Sequence, residues 1–190
     1  MVLTAAVYQL TKDKNLTADP NNASFSIQTG EIRSRGIELE AKAAVNANIN
    51  VTASYTYTDA QYQHDTTFNG KRPAEVPRNM ASLWADYTFH ETALSGLTVG
   101  AGARYVGSTV SYYKNDTSTG KKDDSFNVAG YALMDATVKY DLARFGLPGS
   151  SIGVNVNNLF DREYVSSCYS EYACYWGAER QVVATATFRF

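Results

Sequence analysis

The last ten residues of the chain, Gln181–Phe190 (QVVATATFRF), alternate strictly between two kinds of side chain. Small or apolar residues occupy every second position, and mostly polar residues lie between them. Side chains of a β-strand point alternately to the two faces of a sheet, so only a period of two explains this pattern. The stretch therefore predicts a strand with one apolar face and one wet face. The apolar face comprises Val182, Ala184, Ala186, Phe188 and Phe190.

The same alternation recurs along the rest of the chain. Most of the alternating segments have about the nine to eleven residues that a tilted strand needs to cross a bilayer. Together with the last segment they predict eight antiparallel strands, although the parity of the first stays open. The seven earlier segments are residues 2–11, 37–45, 49–58, 81–89, 97–105, 131–142 and 152–156.

The connections between the predicted strands alternate between short and long. Short turns on one side and long loops on the other are typical of an outer-membrane barrel that is inserted from the periplasm. The tight turns are predicted at 46–48, 91–96 and 145–149, and the long polar loops at 14–30, 63–76, 113–129 and 160–178.

Charged residues concentrate on the face opposite the apolar one. A closed eight-stranded core does not bury so many charges without pairing them, so the pattern indicates a wide lumen that holds water or a plug. Arg33 and Arg35 are also interpreted as lumen charges, with an anionic ligand or acidic plug groups as the alternative. Gly100 and Gly102 on this face would permit close approach of a plug segment. The lumen charges comprise Glu38, Glu40, Lys42, Asp86, Arg104, Asp135, Lys139 and Arg189.

Composition excludes several other classes of protein. Fourteen Tyr with a negative mean hydropathy suit aromatic girdles better than a compact core. No apolar run reaches the length of a membrane-spanning helix, and a net charge of −2 gives no nucleic-acid footprint. The Gly-x-Ser-x-Gly pattern at 149–153, which would indicate a hydrolase, lies between a turn and a strand rather than between a strand and a helix. The two histidines, His64 and His90, have no metal-ligand spacing, so neither catalysis nor a resident metal or cofactor is expected.

Three segments resemble TonB-dependent siderophore receptors. The stretch from Asn157 to Tyr164 is similar to the family's Asn-Leu-Phe-Asp-x-x-Tyr motif, carried here by Asn158, Leu159, Phe160, Asp161 and Tyr164. Residues 34–40 and 76–87 match two further family segments, so the resemblance covers essentially the whole chain. Residues 168–190 look most similar to the hydroxamate branch, the ferrichrome and ferrioxamine receptors.

This resemblance implies an all-β, antiparallel transmembrane barrel of 22 strands around an N-terminal plug that contacts TonB. At the spacing seen here such a barrel needs about 500 residues. Residues 1–190 are therefore expected to be the C-terminal part of the barrel, its last eight strands, without plug or signal peptide. The implied function is uptake of a ferric siderophore through the bacterial outer membrane, with iron carried only as part of that ligand. The implied partners are the siderophore, TonB through the plug, and outer-membrane lipid with lipopolysaccharide.

The C-terminus resembles the signal that the outer-membrane assembly machinery reads. Phe188 and Phe190 would supply its alternating aromatic residues. A strand that ends in the periplasm would place the four long loops outside the cell.

The loop at 160–178 carries the residues predicted to form a site. Cys168 and Cys174 are interpreted as a disulfide because the expected compartment is oxidising, with a free pair or half of a metal site as alternatives. Aromatic faces with a few hydroxyls suit compact, weakly charged ferric hydroxamates, although the same rings could belong to the outer girdle. The candidate ligand contacts are Tyr169, Tyr172, Tyr175 and Trp176, and at the top of another strand Tyr112 and Tyr113.

An alternative from a different class is a complete small eight-stranded barrel that serves as an adhesin or structural anchor. Folding of this chain by itself in detergent into a monodisperse, heat-modifiable barrel would support this alternative over the receptor.

Overall fold

The computed structural model describes residues 1–19, 21–22, 24–65, 68–91, 93–111, 126–170 and 172–189. They form strands with one short 3-10 helix at Ala143–Phe145. Among them, no helix is long and apolar enough to span a bilayer. The strands are β1 (Val2–Ala18), β2 (Ser26–Ala44), β3 (Ile49–Gln63), β4 (Asn79–Thr88), β5 (Leu97–Val106), β6 (Thr109–Ser111), β7 (Phe126–Val128), β8 (Tyr131–Asp141), β9 (Ser151–Asn157), β10 (Val165–Ser170), β11 (Ala173–Trp176) and β12 (Gln181–Thr187).

Eight of these strands form one antiparallel sheet in the order β1-β2-β3-β4-β5-β8-β9-β12. This confirms the predicted set of eight long strands and their all-β, antiparallel arrangement. The remaining four make two small hairpins, β6–β7 and β10–β11, within the connections that follow β5 and β9.

The register keeps the apolar residues on one face across the whole sheet. Leu39 lies opposite Tyr55, and Val138 lies opposite both Val99 and Val154. In β1, Leu3, Ala5 and Val7 lie opposite odd-numbered residues of β2, which settles the parity that the sequence left open. Many of these apolar side chains are exposed, with Leu83 at 54% and Val138 at 50%, so they do not form a protein core. A lipid environment suits such a face.

Aromatic rings border this apolar band at both ends. Tyr57 and Tyr105 lie toward the loop end, and Tyr87 and Tyr140 lie toward the turn end. From Leu97, which is paired with Tyr140, to Tyr105 the strand advances by about 27 Å at about 3.4 Å per residue. Allowing for strand tilt, this matches the apolar band of an outer-membrane barrel, which is about 25 Å tall.

Tight turns close one end of the sheet. The Asn46 side chain accepts hydrogen bonds from the backbone N–H groups of Asn48 and Ile49, at 2.8 Å each, and so closes the β2–β3 turn. The β8–β9 turn contains the 3-10 helix and two glycines with positive φ, Gly146 and Gly149.

The first long loop is much shorter than the sequence suggested. Residues 14–30 were predicted as a polar loop, but β1 runs to Ala18 and β2 begins at Ser26, which leaves 19–25 as the connection. Above the apolar band both faces of a strand are wet, so the backbone can stay paired although the alternation of side chains is lost. The other end of the chain differs as well, because β12 ends at Thr187 rather than at residue 190.

Aromatic rings fill the space above glycines on the inner, polar face. A Cβ at Gly100 would lie 2.8 Å from the Trp84 ring, and one at Gly102 would lie 2.5 Å from it. The two glycines therefore make room for the indole of Trp84 on the neighbouring strand, which accounts for them without a plug segment. The ring of Tyr8 lies over Gly36 in the same way, and its hydroxyl is 3.0 Å from that of Thr58.

Candidate ligand-binding site at the loop end

The β9–β12 loop is held at its base by the side chain of Asn158. This residue has a left-handed backbone (φ 52°) and is 2% exposed. Its amide nitrogen donates to the carbonyls of Arg162, at 2.9 Å, and Ala178, at 3.2 Å, while its Oδ1 accepts from the Arg162 N–H at 2.9 Å. Because 162 and 178 lie on opposite sides of the β10–β11 hairpin, one side chain joins both ends of the segment that presents the hairpin.

Asp161 adds a second fastening at the same base. Its backbone also has positive φ (53°), and its carboxylate accepts from the Arg180 N–H at 2.7 Å. Phe160 is 72% exposed, and the Leu159 N–H donates to the Met134 carbonyl at 2.7 Å. Asn158, Leu159 and Asp161 of the family motif therefore make hydrogen bonds that fix the base of the loop.

Tyr164 joins the loop base to the start of β8. Its ring lies over Gly177, where a Cβ has no room, and its centroid is 4.2 Å from that of Tyr131 at the start of β8. The Gly177 N–H donates to the Tyr164 carbonyl at 2.8 Å. Sequence reasoning missed Tyr131, whose position as the first residue of a strand next to a long loop was the available signal.

Cys168 and Cys174 are joined by a disulfide between β10 and β11. The two cysteines are register partners in this hairpin, and Cys168 is 3% exposed. The hydroxyl of Ser111 in β6, itself buried, donates to the Tyr169 carbonyl at 3.1 Å. The disulfide hairpin thus rests on the β6–β7 hairpin of the neighbouring loop.

Four of the six predicted contact residues lie on the disulfide hairpin, with Tyr169 in β10, Tyr172 between the two strands, and Tyr175 and Trp176 in β11, where adjacent side chains point to opposite faces. Their side chains are all more than half exposed, with Tyr169 at 59%, Tyr172 at 84%, Tyr175 at 61% and Trp176 at 72%. Beside Trp176 is a groove of about 240 Å³ that is lined by Arg162, Glu163, Trp176, Gly177 and Glu179. We call Tyr169, Tyr172, Tyr175 and Trp176 the aromatic platform. This set combines apolar ring faces with phenolic hydroxyls.

Tyr112, Tyr113 and Phe190 lie outside the described residues. Phe188 is described and is 52% exposed, just beyond the last paired residue of β12. In the part of the chain that the structure describes, no three His, Cys, Asp or Glu side chains are grouped to hold a metal ion.

Three of the four predicted lumen arginines separate into two sets. Arg104 lies on the inner face and pairs with Asp135, with Nε 2.8 Å from the carboxylate. Arg35 lies on the same face as Ile37 and pairs with Asp59 at 3.1 Å, above the apolar band, and Arg33 shares that face. The assignment of Arg33 and Arg35 to the lumen was therefore wrong, because β2 stays in register and odd-numbered residues remain outside.

The sequence matches a known family and several characterised relatives. Residues 1–159 match the family described as TonB dependent receptor-like, beta-barrel. The chain is 60% identical over all of its 190 residues to the ferrichrome outer membrane transporter/phage receptor of Escherichia coli K12, and spans 24% of that protein. It is 39% identical over 98% of its length to the ferrioxamine B receptor of Salmonella typhimurium SL1344, and spans 25% of it.

Solved structures agree with the fold. The ferric-catecholate import receptor Fiu of E. coli K12 superposes with a TM-score of 0.71 at 26% identity, covering 99% of this chain and 25% of that one. The pyoverdine receptor FpvA of Pseudomonas aeruginosa PAO1 superposes with a TM-score of 0.77 at 23% identity, covering 99% and 27% respectively. The chain thus spans about a quarter of these relatives. They are all named as receptors or transporters, so the alternative of a small adhesin or anchor has no support.

Proposed function

The chain belongs to the TonB-dependent receptor β-barrel family, and we propose from this premise that its parent protein imports a ferric siderophore across the bacterial outer membrane. The observation that carries the proposal is the 60% identity to the E. coli ferrichrome transporter across all 190 residues. The chain would be the C-terminal part of that receptor's barrel, and iron would be cargo within the ligand. Its role is transport and not catalysis.

The two faces of the sheet suit the two surroundings that such a wall meets. Apolar residues such as Leu83 and Val138 would face lipid, while inner residues such as Asp86 and Lys139 would face a wet lumen or a plug. Energy from the inner-membrane proton gradient would arrive through TonB acting on the plug. The residues described here would form part of the wall and the loops above it.

The siderophore is proposed to be of the hydroxamate type. The relatives named for ferrichrome and ferrioxamine B are 60% and 39% identical to the chain, whereas the structure named for a ferric catecholate is 26% identical. A ferric hydroxamate is compact and weakly charged, so it suits aromatic faces with a few hydroxyls better than a cluster of cations.

The aromatic platform is proposed to contact this ligand from the extracellular side. It lies on a hairpin that is fixed by a disulfide and by the Ser111 hydroxyl, so little conformational freedom would be lost on binding. Tyr112 and Tyr113 are proposed to contribute from the neighbouring loop. The family motif, which binds both ends of the hairpin segment, would fix the position of the platform relative to the barrel wall.

The remaining partners follow from the same premise. The outer face would contact membrane lipid and, in the outer leaflet, lipopolysaccharide. Phe188 and Phe190 would form the signal that the barrel assembly machinery reads.

Uptake of iron-labelled ferrichrome by cells that carry the complete receptor tests the proposed function. The host should lack its own hydroxamate receptors, and ferrioxamine B and a ferric catecholate should be supplied as competitors. We expect uptake that stops when the proton gradient is dissipated and that hydroxamates, but not the catecholate, compete. Binding without energy-dependent uptake, or competition by the catecholate alone, would contradict the proposal.

A further inference from the structure

Asp135 occupies a junction between the inner wall and the loop base. One carboxylate oxygen is 2.8 Å from Nε of Arg104, and the other accepts from Nη2 of Arg104 at 3.2 Å. The second oxygen also accepts from the backbone N–H of Asn158 at 2.9 Å. A guanidinium that meets both oxygens of a carboxylate fixes its orientation as well as its charge.

Asn158, whose backbone N–H binds Asp135, also connects to the segment that carries the aromatic platform. The side chain of Asn158 binds the carbonyls of Arg162 and Ala178, which flank the hairpin on both sides. Arg162 also donates from Nη1 to the Ala132 carbonyl of β8 at 3.1 Å. Asp135 therefore connects Arg104 on the inner face to the segment that carries Tyr169 and Trp176. The connection to that segment is the hydrogen bond from the backbone N–H of Asn158 to the Asp135 carboxylate.

Arg104 and Asp135 differ in burial, and this difference indicates different roles for the two side chains. The Arg104 side chain is 48% exposed and faces the lumen, whereas the Asp135 side chain is 18% exposed. A mostly covered carboxylate needs its partners more than an exposed guanidinium does, because water cannot replace them. The arrangement makes Arg104 the orienting group and Asp135 the group that holds the loop.

We propose that Asp135 is a positioning residue for ligand binding: held by Arg104, it fixes Asn158 and so sets the position of the aromatic platform relative to the inner wall. The inference rests on the proposed function, because it assigns to that platform the capture of the ligand. Neither residue needs to touch the siderophore.

The chain offers a matched control in the pair of Arg35 and Asp59. Two of the guanidinium nitrogens of Arg35, Nε and Nη2, donate to one oxygen of Asp59, at 3.2 and 3.1 Å, and the side chains are 55% and 14% exposed. This pair has similar chemistry and burial, but it joins β2 to β3, and three strands separate β3 from β9. Removing it tests the general effect of losing an ion pair at the loop end of the sheet.

Ferrichrome binding and uptake by the complete receptor, with D135A, D135N, R104Q and D59A compared, test the proposal. We expect D135A to weaken ferrichrome affinity about tenfold, which corresponds to about 1.4 kcal/mol. D135N keeps an acceptor for the Asn158 N–H but loses the charge that binds Arg104, so it should match R104Q with a smaller loss. D59A should bind as the unaltered receptor does. The double variant R104Q/D135N should be no weaker than either single variant, since the two residues act in one chain.

Two further readouts distinguish positioning from a general loss of structure. Half-saturation of uptake should rise in D135A while the rate at saturating ferrichrome stays unchanged, and hydrogen exchange should increase in residues 158–180 only. Equal affinity in D135A and D59A would overturn the inference, as would a loss in D135A that comes with faster exchange throughout the sheet. If the unaltered receptor does not bind ferrichrome, the proposed function itself fails, and exchange in 158–180 still reports whether Asp135 holds the loop.

Discussion

At the level of single residues, Asn158 shows why an asparagine stands at the start of the motif. It combines a left-handed backbone, which asparagine tolerates better than most residues, with an amide that both donates and accepts. An aspartate has no donor for the two carbonyls, and a glycine has no side chain to offer. The motif therefore describes a hydrogen-bonding requirement at one buried position.

Replacing Asn158 by alanine should destabilise the loop base by about 2 to 4 kcal/mol, because three hydrogen bonds of a buried side chain are lost and alanine disfavours this backbone. Hydrogen exchange over residues 158–180 measures the effect. N157A, which changes the adjacent residue at the end of β9, is the control and should leave exchange near its original level. Equal effects of the two substitutions would contradict the role given to Asn158.

The contact between Trp84 and Gly100 gives a second residue-level prediction. A methyl group at Gly100 would meet the indole at 2.8 Å, so G100A should cost about 1 to 3 kcal/mol from overpacking. The cost should fall when Trp84 is replaced by leucine, because the ring is the nearest obstacle. Thermal unfolding of G100A, W84L and the double variant measures this coupling. Additive losses would show that the ring is not what excludes a side chain at Gly100.

At the level of elements, the strands that cross the predicted bilayer could be located from sequence, while their extensions could not. Residues 37–45 and 49–58 alternate because one face meets lipid and the other meets a lumen. Farther along β2 and β3, Arg35 and Asp59 share the outer face with Ile37 and Tyr57, and the alternation disappears although the backbone pairing continues. The alternation arises only where the two faces of a strand meet different surroundings. It therefore ends where both faces are exposed to water.

The loop hairpins were not predicted for a related reason. The cysteines of residues 165–176 indicated a closed ring, but the support from Ser111 spans 58 positions in sequence, and no local pattern reports it. The same holds for the bond between Asp135 and Asn158. The four platform residues were predicted as ligand contacts from composition and position, and that role stays a prediction, whereas the contacts that hold their hairpin required coordinates.

The disulfide hairpin supplies the prediction at this scale. Replacing Cys168 and Cys174 together by serine should weaken the hairpin by about 2 kcal/mol, since the bond closes a short ring. Hydrogen exchange over 165–176 should rise and ferrichrome affinity should fall. Thermal unfolding of the eight-stranded sheet should stay the same, because β10 and β11 lie outside it. Chemical reduction of the unaltered receptor is the matched control and should reproduce the change, whereas a lower unfolding temperature would contradict a role limited to the loop.

At the level of the whole molecule, the two faces of the sheet are expected to meet different surroundings, lipid outside and water inside. Substitutions at adjacent residues of one strand can test this difference. Ala53 lies on the outer face opposite Ala41 and Leu83, while Ser54 lies on the inner face opposite Glu40 and Ser82. Both positions are near the middle of the apolar band, so the same substitution tests the faces at the same depth.

Arginine at Ala53 would bring a charge into hydrocarbon and should cost about 2 to 4 kcal/mol near the bilayer midplane. Arginine at Ser54 would lie in the lumen beside Glu40, where water and an opposite charge are available, so it should be tolerated. The amount of folded, heat-modifiable receptor in outer membranes measures the difference, and A53S controls for the change of side chain without a charge. Similar losses for A53R and S54R would mean that the two faces do not meet different solvents. The transport role would then lose its physical basis, because a wet lumen behind a lipid-facing wall is what a ligand needs in order to cross.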